Sequence, residues 1–177
     1  MNTIDHRALV AQGRFETPLG GMLAAATARG IAGLWFDGQR HHPGALDVPS
    51  DSTQRWIAQL REELWAYFRG ASMRFATPLD LAGSDFQRSV WQALLSVPAG
   101  ETPTYGALAR SLGRADAVRA VAAAVGRNPV SIVVPCHRIV GQNGSLTGYA
   151  GGLDRKAALL RLEGARAGLQ RPLELAA

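Results

Sequence analysis

The chain has 177 residues, 47% of them hydrophobic and 19% charged, with a net charge of +5 and a single cysteine. That length suits one domain or two small ones, and the composition excludes disorder, collagen and coiled coil. One cysteine excludes an internal disulfide and any cysteine-rich metal cluster, and a free thiol points to the cytoplasm; no metal and no cofactor are expected.

The first elements read as strands. GRFETPLGGMLAAATARGIAGLWFDG carries short apolar runs separated by turn residues at Thr17–Gly21 and Arg29-Gly30, the pattern of a small antiparallel meander. A loop rich in Gly, Pro and His follows from Gln39 to Pro49. Its His41-His42 pair has only Asp37 and Asp47 as possible co-ligands and reads as a solvated loop rather than a metal site. From Ser52 to Phe68, Trp56, Leu60, Leu64 and Phe68 recur every four residues, the stripe of an amphipathic helix that Gly70 stops. ATPLDLAG is an extended linker, which puts a domain boundary near residue 82.

The remainder reads as mainly helical. Ser84-Asp85-Phe86-Gln87 fits a capping box and opens a helix through Leu95, with Phe86, Val90, Trp91 and Leu94 on one face. A short helix is expected over Tyr105 to Leu112, broken by Gly113, and another over Ala115 to Val125. Short helix, glycine turn and alanine-rich helix outline a helix-turn-helix, although many helical hairpins share that outline. The apolar run Val130 to Val134 leads into Pro135-Cys136-His137-Arg138. A glycine-rich loop, GQNGSLTGYAGG, precedes a last helix over Asp154 to Glu163. No run approaches the roughly 18 apolar residues of a membrane span, and MNTIDHRALVAQGR lacks the apolar core of a signal peptide.

The charge divides unevenly. Residues 1–80 carry eight Arg and eight acids, whereas residues 81–177 carry ten Arg and one Lys against six acids. A basic part beside a neutral one points to a polyanion-binding unit on a scaffold, although genome-wide arginine bias would give the same total. Lys156 is the only lysine.

Cys136 is where chemistry would start. A lone cysteine after SIVV reads by default as a small buried hydrophobe. Against that, Pro135 ends the run, His137 and Arg138 follow at once, and cationic neighbours raise the fraction of nucleophilic thiolate. In an extended strand Cys136 and His137 would face opposite ways, so contact requires a turn or a bridging water. An orienting carboxylate is also needed; Asp154 and Glu163 are the candidates, and Glu163 opposes the dipole at its helix end. Tyr149 lies in the glycine-rich loop, and Arg119 stands near the start of the second helix of the hairpin. Read blandly, both are surface residues.

PCHRIV, with GRNPVSIVV before it and GQNGSLTGYAGGLDRKAALLRLEG after it, resembles the methylated-DNA–protein-cysteine methyltransferases, the O6-alkylguanine-DNA alkyltransferases. The likeness runs from about Asp85 to Gly164 and includes FQRSVWQALLSVPAGETPTYGALA. The resemblance implies an α/β (α+β) chain: a small ribonuclease-H-like N-terminal domain over 1–82, and a mainly helical C-terminal domain with a helix-turn-helix over 83–177. It implies transfer of an alkyl group from O6-alkylguanine, and from O4-alkylthymine, in flipped-out nucleotides of double-stranded DNA. The partner would be duplex DNA carrying alkylated guanine, met by a monomer with scope for cooperative binding. Arg127 stands where some relatives have glycine, and the zinc-binding extension of the transcription-regulating relatives is not present, so repair without regulation is expected.

By position, the resemblance implies that Cys136 is the alkyl acceptor, His137 the base acting through water, and Glu163 the acid orienting it. Asn128 would brace the cysteine loop and Tyr149 supply a proton at the guanine oxygen, joined there by the Ala150 N–H. The carbonyls of Cys136 and Ile139 would receive the exocyclic amine. Tyr105 would crowd the target phosphate, and Arg119 would enter the duplex behind the flipped base. Two other functions compete with this one. A non-catalytic DNA-binding module would show salt-dependent binding without transfer, and a cysteine hydrolase using Cys136, His137 and Glu163 would turn over repeatedly.

Overall fold

A computed structural model describes residues 8–165. Strands β1 (Leu9–Phe15), β2 (Met22–Thr27) and β3 (Ile31–Phe36) form an antiparallel sheet in the order β1-β2-β3. Helices α1 (Arg55–Phe68), α2 (Asp85–Leu95), α3 (Tyr105–Ser111), α4 (Val118–Gly126) and α5 (Leu153–Leu162) follow, with a 3₁₀ turn at Cys136–Arg138 before α5. No helix among the described residues is long and apolar enough to cross a membrane.

β2 and β3 are buried throughout, which explains why MLAAAT and IAGLWF are continuous apolar runs rather than alternating ones. One face, with Met22, Ala24, Leu34 and Phe36, joins the main core. The other face packs Leu23, Ala25 and Trp35 against Leu46 from the following loop. Gly33 is required here: a Cβ would lie 1.7 Å from the Trp35 ring, so the indole can rest flat on β3 only if residue 33 has no side chain.

The free edge of β3 is covered by the linker at residues 78–80 and by the segment that precedes Cys136. Ile31 pairs with residues 78–80, donating to the Pro78 carbonyl at 2.8 Å and accepting from Asp80 N at 2.8 Å. Leu34 donates to the Pro129 carbonyl at 2.9 Å and accepts from Ser131 N at 2.8 Å. These pairings satisfy the edge groups and moor the segment that leads to Cys136 directly on the sheet.

The α1 stripe is rotated from its expected position. Ile57, Leu60, Leu64 and Tyr67 are the buried positions, while Trp56 and Phe68 are half-buried at the flanks. Spacings of three and four share a helical face, so a strict four-residue repeat drifts off the core. The Ser84–Gln87 capping box is present on α2, whose Val90, Trp91 and Leu94 are buried and whose Trp91 Nε1 donates to the Ala124 carbonyl of α4 at 2.9 Å. Phe86 stays half-buried. α4 begins at Val118 rather than Ala115, because Ala117 N bonds the Arg114 carbonyl in a turn and no side chain caps the helix.

Candidate active site

The Val130–Val134 run is a buried turn. Val134 N donates to the Val130 carbonyl at 3.0 Å, and Ile132 sits at φ 71°. A β-branched residue there carries strain of about 1–3 kcal/mol and persists only where its surroundings enforce it. Asn128 is the enforcing group. Its Nδ2 donates to the Val134 carbonyl at 2.7 Å and lies 3.0 Å from Cys136 Sγ, and its Oδ1 accepts from Val130 N at 3.0 Å. Asn128→Ala would strand the Val130 N–H in the core, so a loss of about 1–3 kcal/mol is expected, a melting temperature lower by roughly 2–12 °C. Calorimetry checks it.

Past Pro135 the 3₁₀ turn begins, with Arg138 N donating to the Pro135 carbonyl at 3.0 Å. The turn removes the strand alternation that would have separated Cys136 from His137. His137 is fully buried, and its Nε2 is 2.9 Å from Glu163 Oε1. Glu163 is the C-cap of α5, where its charge opposes the helix dipole, and three neighbours offset that cost. Tyr67 OH donates to Oε1 at 2.8 Å. Arg138 forks onto both oxygens at 2.8 Å and donates through Nη1 to the Val97 carbonyl at 2.5 Å.

These bonds set the proton inventory. Burial pulls the Glu163 carboxyl upward, but hydrogen bonds from His137 and Arg138 outweigh it and hold the pKa at about 2. Glu163 is therefore an anion that can only accept, so His137 carries its hydrogen on Nε2 and presents Nδ1 as a lone pair. Nδ1 has no protein hydrogen-bond partner among the described residues. Burial pushes the imidazole below its usual pKa against the upward pull of the Glu163 hydrogen bond and charge, and leaves it neutral and free to accept a proton.

Cys136 departs from expectation. Burial pushes its thiol above the ordinary value, a shift that the Asn128 amide and the Lys156 charge only partly oppose. The flanking Arg138 does not help, because its charge is spent on Glu163. The resting group is a covered thiol, 4% exposed, with a neutral base as the next residue.

A cleft of about 500 Å³ is lined by Tyr105, Tyr149, Ala150, Arg40, His41 and Arg127, among others. Tyr149 is 9% exposed, its hydroxyl lacks a partner among the described residues, and burial raises its pKa well above the ordinary value. The phenol is therefore a held proton. Gly151 permits that placement, since a Cβ would come within 2.6 Å of the Tyr149 ring.

The 6-O-methylguanine DNA methyltransferase DNA-binding domain model matches residues 85–165. The methylated-DNA–protein-cysteine methyltransferase of Mycobacterium bovis is 54% identical over 152 residues, covering 86% of this chain and 91% of that one. That of Methanosarcina acetivorans is 43% identical over 153 residues, covering 85% and 96%. The chain belongs to the methylated-DNA–protein-cysteine methyltransferase family. A crystal structure of Mycobacterium tuberculosis OGT in complex with DNA superposes with a TM-score of 0.80 at 40% identity, covering 90% of this chain and 96% of that one. The Pyrococcus kodakaraensis O6-methylguanine-DNA methyltransferase gives 0.62 at 26% identity, covering 88% and 99%. The three-stranded sheet and five helices of this methyltransferase match those neighbours.

Within the methyltransferase, Cys136, His137, Glu163 and Asn128 form one buried cluster, with Tyr149 close by: its ring centroid is 6.4 Å from that of His137. Ala150 borders the cleft, its carbonyl bonded by Arg40 N at 2.9 Å. Tyr105, at the start of α3, donates to the Gly148 carbonyl at 3.0 Å, and burial lifts its pKa to about 12. The Ile139 carbonyl accepts from Lys156. Arg119 is exposed on α4, apart from the cluster. Tyr67 escaped the sequence reading because nothing local marks a tyrosine 96 positions from its carboxylate partner. Arg138 and Lys156 left traces in PCHR and in the single-lysine count, but their partners are products of the fold.

Proposed function

We propose that this methyltransferase repairs DNA by moving the alkyl group of O6-alkylguanine irreversibly onto Cys136 Sγ. The observation that carries the reading is the neutral His137, tied by Nε2 to an ionised Glu163, beside a buried thiol. His137 Nδ1 takes the thiol proton directly or through a water, and Glu163 stabilises the imidazolium that results. The sulfur attacks the alkyl carbon, a C–S bond forms, and the C–O bond breaks. Tyr149 gives its proton to the leaving guanine and regains one from the His137 side, so the net change moves the thiol proton to guanine. The product is a thioether, which water does not reopen, so each molecule acts once. O4-alkylthymine offers the same alkyl–oxygen bond and is read as a second substrate.

The target oxygen is inaccessible in a duplex, so the nucleotide must be extruded, at a cost of about a few kcal/mol. We read residues 1–82 as a ribonuclease-H-like scaffold and residues 83–177 as the DNA-binding and transfer unit, with α3 and α4 as the helix-turn-helix. The net charge of the second part supports that division, and the complex of the Mycobacterium tuberculosis relative with DNA supports DNA as the partner. Exposed Arg119 on α4 is read as the side chain that fills the gap, Tyr105 as the group crowding the phosphate, and the Ile139 carbonyl and Ala150 N–H as contacts to the base. The protein is read as a monomer. Arg119→Ala is expected to slow repair in a duplex by about tenfold while sparing a lesion in a single strand, where nothing need be flipped.

The decisive test is mass spectrometry after incubation with methylated-guanine duplex. One added methyl on the Cys136 peptide, in a one-to-one limit, is expected. An unmodified protein, or repeated turnover, overturns the reading.

A further inference from the structure

The basic residues of this chain are almost all arginine: Lys156 is the one lysine among its nineteen Lys+Arg. It is also fully buried, on α5, which is an unusual place for an ammonium. Its Nζ donates to the Ile139 carbonyl at 2.5 Å and to the Thr147 carbonyl at 2.6 Å. Those two carbonyls bracket residues 140–146, so one ammonium pins both ends of the first half of the glycine-rich loop.

The second end needs that pin. Val140 is tied to the backbone of Pro103 and Tyr105, and residues 141–145 close on themselves through Gly141 N to the Ser145 carbonyl at 2.9 Å. Among the described residues no backbone–backbone hydrogen bond reaches Leu146, Thr147 or Gly148. The approach to Tyr149 is held by side chains alone: Lys156 on the Thr147 carbonyl, and Tyr105 on Gly148 at 3.0 Å and more weakly on Thr147 at 3.4 Å. Lysine suits this place and arginine does not. A compact ammonium can point separate N–H donors at two converging carbonyls, whereas a planar guanidinium needs more width and a fixed fork.

We propose that Lys156 is a positioning residue for alkyl transfer, its buried ammonium setting the 147–150 segment, and so the Tyr149 hydroxyl, relative to Cys136. This rests on the reading of Cys136 as the alkyl acceptor. The same charge favours the thiolate, since Lys156 is a cation acting on the Cys136 sulfur. The titratable groups in its field are Cys136 and His137 of the 3₁₀ turn, with Tyr105 of α3 linked through Thr147 and Gly148.

The single lysine makes the test direct. Protein labelled with ¹⁵N-lysine gives one Nζ signal, expected to be protected from exchange, to titrate near pH 8, and to shift when methylated-guanine duplex alkylates Cys136. Lys156→Met is expected to slow single-turnover transfer by about 10²-fold, the scale of a misplaced reacting group, and to move its pH–rate profile upward. Lys156→Arg is expected not to restore the rate. A folded Lys156→Met protein that transfers within twofold of wild type with an unchanged profile overturns the proposal, as does full rescue by arginine. Should the methionine variant fail to fold, the wild-type signal decides: an ordinary lysine titration, untouched by alkylation, overturns it. A wild-type protein that never gains the alkyl group would instead overturn the parent reading.

Discussion

Cys136→Ser is expected to abolish alkyl transfer, by about 10⁴-fold or more, while leaving binding to the lesion largely intact. Serine preserves size and the 3₁₀ turn, and its hydroxyl can still accept from Asn128, which lies 3.0 Å from the sulfur. Its pKa, however, lies far above that of a thiol, and a hydroxyl is a far weaker nucleophile toward an alkyl carbon than a thiolate. Single-turnover assays with methylated duplex, paired with a binding titration of the same variant, separate the two effects. Residual transfer near the wild-type rate would move the acceptor away from residue 136. Loss of binding in parallel would mean that the variant has lost its fold rather than its nucleophile.

The second large effect falls on stability. Glu163 collects hydrogen bonds from Tyr67, His137 and Arg138, and its side chain is wholly buried. Glu163→Gln removes the only anion that pairs with the buried Arg138 guanidinium among the described residues, and turns an acceptor into an amide whose NH₂ confronts a donor. Breaking one partner of such a pair costs about 3–5 kcal/mol, a large share of the roughly 5–15 kcal/mol that holds a domain together. The variant should also lose transfer, because the imidazolium of His137 would have no counter-charge.

The same cluster fixes the acid response. The Glu163 pKa is depressed from 4.5 to about 2, so its contribution is present above pH 4.5 and disappears as pH falls toward 2. The His137 pKa is depressed below 6.5, so the unfolded chain takes up that proton first and stability begins to fall below pH 6.5. Both groups act in one direction. Urea midpoints measured from pH 8 to pH 3 should decline with acidity, and more steeply for wild type than for Glu163→Gln.

Much of this was legible in the residues. The meander, the capping box at Ser84 and the hairpin of α3 and α4 rest on short-range rules, and each occurs where turn residues and apolar spacing place it. The motif around Cys136 named the cluster of Cys136, His137, Glu163 and Asn128. What failed was what depends on distant partners. The α1 stripe came out rotated because Tyr67, not Phe68, turns inward to meet Glu163. The thiol was expected to be lowered by its cationic neighbours, yet Arg138 is committed to a carboxylate 25 positions away, and burial wins. Val130–Val134 was legible only as an apolar run, and the Asn128 side chain explains why it folds into a turn.

The pairing of Leu34 with residues 129–131 has a further meaning for how the molecule comes apart. The buried cluster that contains Cys136 and Tyr149 also contains Leu34, Phe36, Ile57 and Tyr67. A boundary near residue 82 therefore marks a division of charge, not a seam in the core. Nothing separates a folded reactive half from an unfolded supporting one, so cooperativity links the sulfur to the opposite end of the chain. A weakened sheet would disturb the surroundings of Cys136 long before any substitution touched it.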